Sequence, residues 1–153
     1  MRRGEGEKMT TKQYLDQIRV LDTKINHRIK QAEEIRAKAF LISAVDTTKD
    51  RVQTSPSSDA GLRFIDKYVD KMREIDAMID SYVDLKNQII TQIESLDDER
   101  YMRVLHYRYI DYLLFTEIAE RMNYSKDYVF RLHRKALREF EKRTVNVYWI
   151  FYF

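Results

Sequence analysis

Seven basic side chains stand between Lys126 and Arg143, against three acidic ones. Arg131, Arg134, Lys135 and Arg138 recur at spacings that place them on one side of a helix. Lysine and arginine in such an array can neutralise phosphates, and arginine can also donate paired hydrogen bonds to a guanine edge. The pattern indicates contact with nucleic acid. The alternative is an ordinary helical hairpin whose basic face is only solvated.

The residues just before this array have the pattern of a short bracing helix and a tight turn. Ala119 supplies the small residue that a steep helix crossing needs, and Asn123 stands where the turn requires a residue that tolerates positive φ. Ser125 is suited to cap the second helix. We expect the core of a helix-turn-helix to comprise Ile118, Ala119, Met122, Val129, Leu132 and Ala136, with Leu137 also on the inner face. The predicted outer face comprises Lys126, Asp127, Tyr128, Phe130, Arg131, His133, Arg134, Lys135 and Arg138.

This segment, "RYIDYLLFTEIAERMNYSKDYVFRLHRKALREF", resembles region 4 of sigma-70-type factors. More narrowly, it resembles small phage and prophage proteins of Gram-positive bacteria that include the ArpU-type and RinA-type late transcription regulators. The resemblance covers residues 97–142, and its signature positions are Arg108-Tyr109, Glu117-Ile118-Ala119, Ser125 and Ala136-Leu137. It implies a regulator of phage genes that acts at promoters or with RNA polymerase.

The resemblance also implies that different parts of the second helix of the helix-turn-helix contact bases and phosphates. Base contacts would come from Lys126, Asp127, Phe130 and Arg131. Phosphate contacts would come from Tyr128, His133, Arg134, Lys135 and Arg138. Phe130 departs from the family pattern, in which a polar residue is commoner, and we expect it to touch a thymine methyl group or a protein surface.

Two further departures concern the bracing helix. Tyr112 stands where the family usually has Gly, and Leu114 stands where Ser or Thr would cap. We expect Thr116 to cap instead and to shorten that helix.

The preceding part of the chain predicts two long amphipathic helices. The first runs from about Thr10 to Val45, with Ile29 replacing Arg28 in its apolar stripe; the second runs from about Ala60 to Leu96, with Leu85 compensating for Lys86. The polar, Pro-containing segment near 46–60 is the predicted loop, and Ser58 or Asp59 the predicted cap. The apolar stripe of the second helix comprises Ile65, Tyr68, Met72, Ile75, Ile79, Tyr82, Ile89, Ile93 and Leu96. The two stripes bury each other within one chain or bury those of a second copy.

Composition bounds the remaining possibilities. Residues 1–99 hold 17 Lys/Arg and 19 Asp/Glu, whereas the rest hold 11 and 6, so the net charge of +3 divides into −2 and +5. There is no Cys, no Gly-rich phosphate loop, and no metal-ligand spacing among His27, His106 and His133. We therefore expect no enzymatic activity, no cofactor, no metal site, no membrane span and a cytoplasmic location in the bacterial host.

These patterns together predict an all-α protein. It comprises a disordered N-terminus (1–9), a long antiparallel helical hairpin (10–96), a helix-turn-helix DNA-binding domain (97–144) and an apolar tail (145–153) that we expect to be buried. We expect double-stranded DNA as its partner, with RNA polymerase as a further one. We also expect the protein to be a homodimer. The alternatives are a DNA-packaging adaptor similar to a small terminase subunit, and a polymerase- or sigma-binding protein that does not bind duplex DNA.

Overall fold

The computed structural model describes residues 9–46 and 56–144. These residues form five helices and no strand: α1 (Thr11–Asp46), α2 (Pro56–Glu94), α3 (Glu99–Tyr109), α4 (Phe115–Met122) and α5 (Lys126–Thr144). The all-α prediction is confirmed. The predicted disordered N-terminus, except Met9, and the apolar tail 145–153 lie outside the described residues.

The second helix begins earlier than its apolar pattern predicts. It starts at Pro56, a residue favoured at the first helical position because its missing N–H has no partner there anyway. Ser58 and Asp59 therefore lie inside the first turn, and the prediction that one of them caps the helix was wrong. The negative charge of Asp59 still interacts favourably with the positive end of the helix dipole.

The chain divides into two compact units. Of the described residues, the first contains 9–20 and 83–144. The second contains Leu21–Tyr82. The beginning of α1 and the end of α2 thus belong with α3, α4 and α5.

In the second unit, α1 and α2 run antiparallel. Arg28 Nε lies 3.3 Å from Glu74 Oε1, and a Cβ placed on Gly61 would lie 3.6 Å from Ser43 Oγ. Arg28 is half-buried in the seam where α1 contacts α2, whereas Ile29 is 36% exposed. The predicted replacement of Arg28 by Ile29 was therefore wrong.

The apolar stripe of α2 also differs from the prediction in part. Ile75, Leu85, Ile89, Ile93 and Leu96 are buried, so Leu85 does compensate for Lys86. Two predicted members, Ile65 and Ile79, are instead 45% and 38% exposed.

The core of the first unit joins the start of α1 to the later helices. Leu15 and Ile18 of α1 are fully buried, as are Ile89 and Phe140. The Tyr14 hydroxyl donates to Gln92 Oε1 at 2.9 Å, and its ring lies 6.3 Å from that of Phe140. Within 9–46 and 56–144, no helix is both long enough and apolar enough to cross a bilayer.

Candidate nucleic-acid interface

Helices α3, α4 and α5 pack against one another in all three pairs. All six residues predicted for the helix-turn-helix core are buried: Ile118, Ala119, Met122, Val129, Leu132 and Ala136. Leu137 is half-buried. Val104, Leu105 and Tyr109 supply the buried face of α3. This packing fixes one side of α5 inward and leaves the opposite side to solvent.

The start of α4 is capped by an arrangement that the sequence did not predict. Leu114 occupies the N-cap position, and the Glu117 carboxylate accepts a hydrogen bond from the Leu114 backbone N–H at 2.6 Å. Thr116 lies within the helix, so the expected Thr116 cap and shorter helix were wrong. Glu117 satisfies the N-cap N–H as it would in a capping box, but Leu114 offers no side-chain acceptor in return.

The turn between α4 and α5 has the predicted conformation. Asn123 is left-handed, with φ 57° and ψ 43°. The Tyr124 N–H donates to the Ala119 carbonyl at 3.0 Å and the Asn123 N–H to the Glu120 carbonyl at 3.2 Å, which is the Schellman pattern that closes a helix. Ser125 Oγ then accepts from the Tyr128 N–H at 3.2 Å, which confirms the predicted cap.

At the start of α3, the N-cap Asp98 holds the side chain of Arg100. The Asp98 carboxylate accepts from the Arg100 backbone N–H at 2.9 Å and from its guanidinium Nη2 at 2.7 Å. Hydrogen bonding from that guanidinium lowers the pKa of Asp98. The Arg100 Nη1 also donates to the Tyr128 hydroxyl at 3.3 Å, so Asp98 orients this guanidinium toward α5.

The outward side of α5 carries an array of cations. Lys126, Arg131, Arg134, Lys135 and Arg138 are all exposed. In the described part of the chain, none of the five forms an ion pair with an acidic side chain. Asp127 is also exposed and lies in the first helical turn. The array is therefore uncompensated and open to an anionic partner.

Phe130 has a packing role that the sequence left open. Its ring lies 4.4 Å from that of Phe115 on α4, and Lys126 Nζ lies 5.8 Å from the Phe130 ring centroid. The Arg108 guanidinium in turn lies 4.7 Å from the centroid of the Phe115 ring. Phe130 is still 37% exposed, so one edge remains open beside the cations. Its contact with a thymine methyl group stays a prediction.

His133 does not lie on the outer face where the sequence pattern placed it. It is 7% exposed, its Nε2 lies 2.9 Å from the Tyr109 hydroxyl, and the Phe115 ring meets it edge-on at 5.0 Å. Burial lowers its pKa to about 4, with nearby Arg108 and Lys12 acting in the same direction. The predicted phosphate contact by His133 is thus wrong, because a mostly buried neutral ring is a poor partner for an anion.

A crevice of about 150 Å³ lies between α3 and α5. Three cations and two tyrosines line it, together with Leu132: Arg100, Tyr101, Tyr128, Arg131 and Lys135. Such a set suits a phosphate group, since it combines positive charge with hydroxyl donors. Arg100 is not among the site residues that the sequence pattern predicts. The sequence did contain a sign of its role, because a cation in the first turn of a helix interacts unfavourably with the helix dipole. Such a residue at that position indicates another interaction that stabilises it.

The tyrosines near the array contact neighbouring protein groups. Tyr109 is buried, and the ring of Tyr107 lies 5.9 Å from the Arg103 guanidinium and 5.8 Å from that of Arg121. Tyr124 and Tyr128 meet edge to face at 4.8 Å. These tyrosines therefore pack within the protein.

The candidate site therefore consists of the cationic face of α5, Phe130 at its margin and the crevice that Arg100 completes. Among residues 9–46 and 56–144, no group of three or more His, Cys, Asp and Glu side chains is placed to hold a metal ion. The chain matches no protein-family model, no curated protein and no solved structure among those with which it was compared.

Proposed function

We propose that this chain is a sequence-specific DNA-binding transcription regulator encoded by a phage. In this proposal, α4, the Asn123 turn and α5 act as a helix-turn-helix of the sigma region 4 type, and α1 and α2 form the helical hairpin that precedes it. The partner is double-stranded DNA in the cytoplasm of a bacterial host, with RNA polymerase as a further partner.

The observation that carries the proposal is the two-sided character of α5. One side is buried through Val129, Leu132 and Ala136, and the other side presents exposed cations without acidic partners among the described residues. A helix held in this way projects its outer side as a rigid surface, and the major groove of B-DNA is wide enough to admit it. Lys126 and Arg131 stand nearest the start of the helix, where base edges are read.

The outer residues divide by their place along α5. Lys126, Asp127, Phe130 and Arg131 are assigned to base contacts, and Arg134, Lys135 and Arg138 to phosphates. Tyr128 is half-buried and accepts from Arg100, so its hydroxyl lies at the crevice and serves the phosphate backbone. His133 has no part in this assignment.

Selection of bound duplexes from a random library, at two salt concentrations, tests the proposal. We expect an enriched sequence that survives the higher salt. Arg131→Ala should weaken binding to that sequence by roughly 1–3 kcal/mol and binding to a scrambled duplex by less. Arg63→Ala removes an exposed arginine from α2 and serves as the matched control, with no loss expected.

Other results would favour other functions. Binding that is uniform across sequences and collapses with salt would indicate backbone contact alone and favour a DNA-packaging adaptor. Tight binding to RNA polymerase without affinity for duplex DNA would favour a polymerase-binding protein.

A further inference from the structure

In the second unit, the row of α2 residues that faces α1 across the seam is flanked by an apolar side and by a polar side. The seam residues are buried or half-buried and recur every three or four positions: Gly61, Phe64, Tyr68, Lys71, Ile75, Met78 and Tyr82. The positions that directly precede them are polar or Ala: Ala60, Arg63, Lys67, Asp70, Glu74, Ala77 and Ser81. Except for Asp76, the positions that directly follow them within this unit are apolar: Leu62, Ile65, Val69, Met72 and Ile79.

These following residues are open to solvent. Leu62 is 56% exposed, Ile65 45%, Val69 40% and Ile79 38%, while Met72 is half-buried. In an antiparallel helix pair, the positions that follow the seam in each helix lie on the same side of the pair. On α1, Ile29, 36% exposed, and Phe40, 73% exposed, lie on that side among the polar residues Asn26, Glu33, Arg36 and Ser43. The seven apolar residues are termed the apolar side.

The face that carries the apolar side is large enough for a stable interface. From Leu62 to Ile79 it extends about 25 Å at about 1.5 Å per residue, and each helix is about 10 Å wide. The face of the two helices over that length, its polar residues included, covers roughly 500 Å², so a symmetric pair would bury about 1,000 Å², which is near the lower bound for a specific interface. Large exposed apolar residues grouped on one face in this way mark an interaction site.

The charges at its margin point to a second copy of the same chain. Asp66 and Arg73 are exposed and stand seven residues apart on α2, so both lie along the same edge. If two α2 helices cross antiparallel about an axis near Val69, Asp66 of each copy faces Arg73 of the other, and Ile65 faces Met72. Within one copy, Arg73 pairs only weakly with Asp70, at 3.7 Å and with both side chains 77% exposed, so it remains available.

We propose that the apolar side binds the apolar side of a second copy, and that the chain is a two-fold symmetric dimer with α2 antiparallel to α2 at the interface. Such an interface is isologous, so each favourable contact occurs twice. The proposal uses no residue of α3, α4 or α5 and stands independently of DNA binding.

Sedimentation of the full chain without DNA, over a wide concentration range, tests the dimer. The wild-type chain should sediment as a dimer, and Val69→Glu should be monomeric with unchanged helical circular dichroism. Ala77→Glu places the same charge on the polar side of the same helix and should remain dimeric. A monomeric wild-type chain, a ring of many copies, or equal behaviour of the two variants would overturn the proposal.

A charge exchange tests the register. Asp66→Arg alone and Arg73→Asp alone each create two like-charge contacts per dimer, and each should raise the dimer dissociation constant at least about tenfold. The double variant restores both contacts with reversed sign and should return the constant to near the wild-type value. Lys38→Glu, at an exposed position of α1 that directly precedes the seam residue Ala39, is the control for a change in net charge. Failure of the double variant to recover would exclude this antiparallel pairing.

Discussion

The Tyr109 hydroxyl lies 2.9 Å from Nε2 of His133 in the core between α3 and α5. Burial raises the pKa of Tyr109 and lowers the pKa of His133 to about 4. The phenol is therefore protonated and the imidazole neutral, so Tyr109 donates and His133 accepts. Each ring fixes the position of the other, and together they link α3 to α5.

This pair makes stability depend on pH. In the unfolded chain His133 takes up a proton near its ordinary pKa of about 6.5, whereas the folded chain resists protonation until about 4. The unfolded state thus binds more protons in this window, and stability falls as pH falls through it, by up to roughly 3 kcal/mol. Above about pH 6.5 the contribution is fully present.

Urea unfolding of the wild-type chain and of His133→Gln between pH 4 and 7 measures this effect. The glutamine side chain does not titrate, so the free energy of unfolding of the variant should change less across the window. His27→Gln, which replaces an exposed histidine, is the control. Parallel pH curves for the wild type and His133→Gln would contradict the assignment.

The N-cap of α4 offers a gain in stability. Leu114 is 61% exposed and has no side-chain acceptor for the first turn of the helix. Leu114→Ser should complete the capping box with Glu117 and raise the free energy of unfolding by about 1 kcal/mol. Thermal or urea unfolding measures the free energy of unfolding. Leu114→Ala is the matched control because it removes the same bulk without adding an acceptor. Equal stability of the Ser and Ala variants would show that the cap is not formed.

Two residues other than glycine have positive φ in the described part of the chain, Tyr112 at 58° and Asn123 at 57°. An L-residue with a Cβ is strained there by roughly 1–2 kcal/mol, whereas glycine is not. At each position the Gly variant should therefore be more stable than the Ala variant by about 1 kcal/mol. Both variants lose the contacts of the native side chain, so the difference between Gly and Ala does not include that loss. At Ser81, inside α2, the order should reverse because Gly weakens a helix interior.

Arg100 should contribute to DNA affinity without contributing to sequence choice. Its guanidinium lies at the crevice beside Tyr128 and is suited to a phosphate, which carries no sequence information. Arg100→Gln should weaken binding by a similar factor on selected and scrambled duplexes, and the slope of log affinity against log salt should fall by about 1. Arg63→Gln is the control. A loss confined to the selected duplex would assign Arg100 to base recognition instead.

The sequence by itself determined the helical class and most of the candidate interface. Scarce Gly and Pro, apolar residues every three or four positions, Asn123 at the turn and Ser125 at the cap each act over a few neighbouring residues. Local backbone preferences and side-chain spacing are enough to predict such features. The core of α4 and α5 was predicted correctly for the same reason, since each helix has one clear apolar stripe.

Tertiary packing decided the features that depend on which side of a helix meets a neighbour. Arg28 rather than Ile29 occupies the seam because α2 supplies Glu74 opposite it. His133 is buried because Tyr109 and Phe115, distant in sequence, surround it and offer a hydrogen bond. Arg100 joins the cationic face because α3 packs beside α5. One helical turn presents several adjacent positions to a partner, and only the partner's shape and charge choose among them.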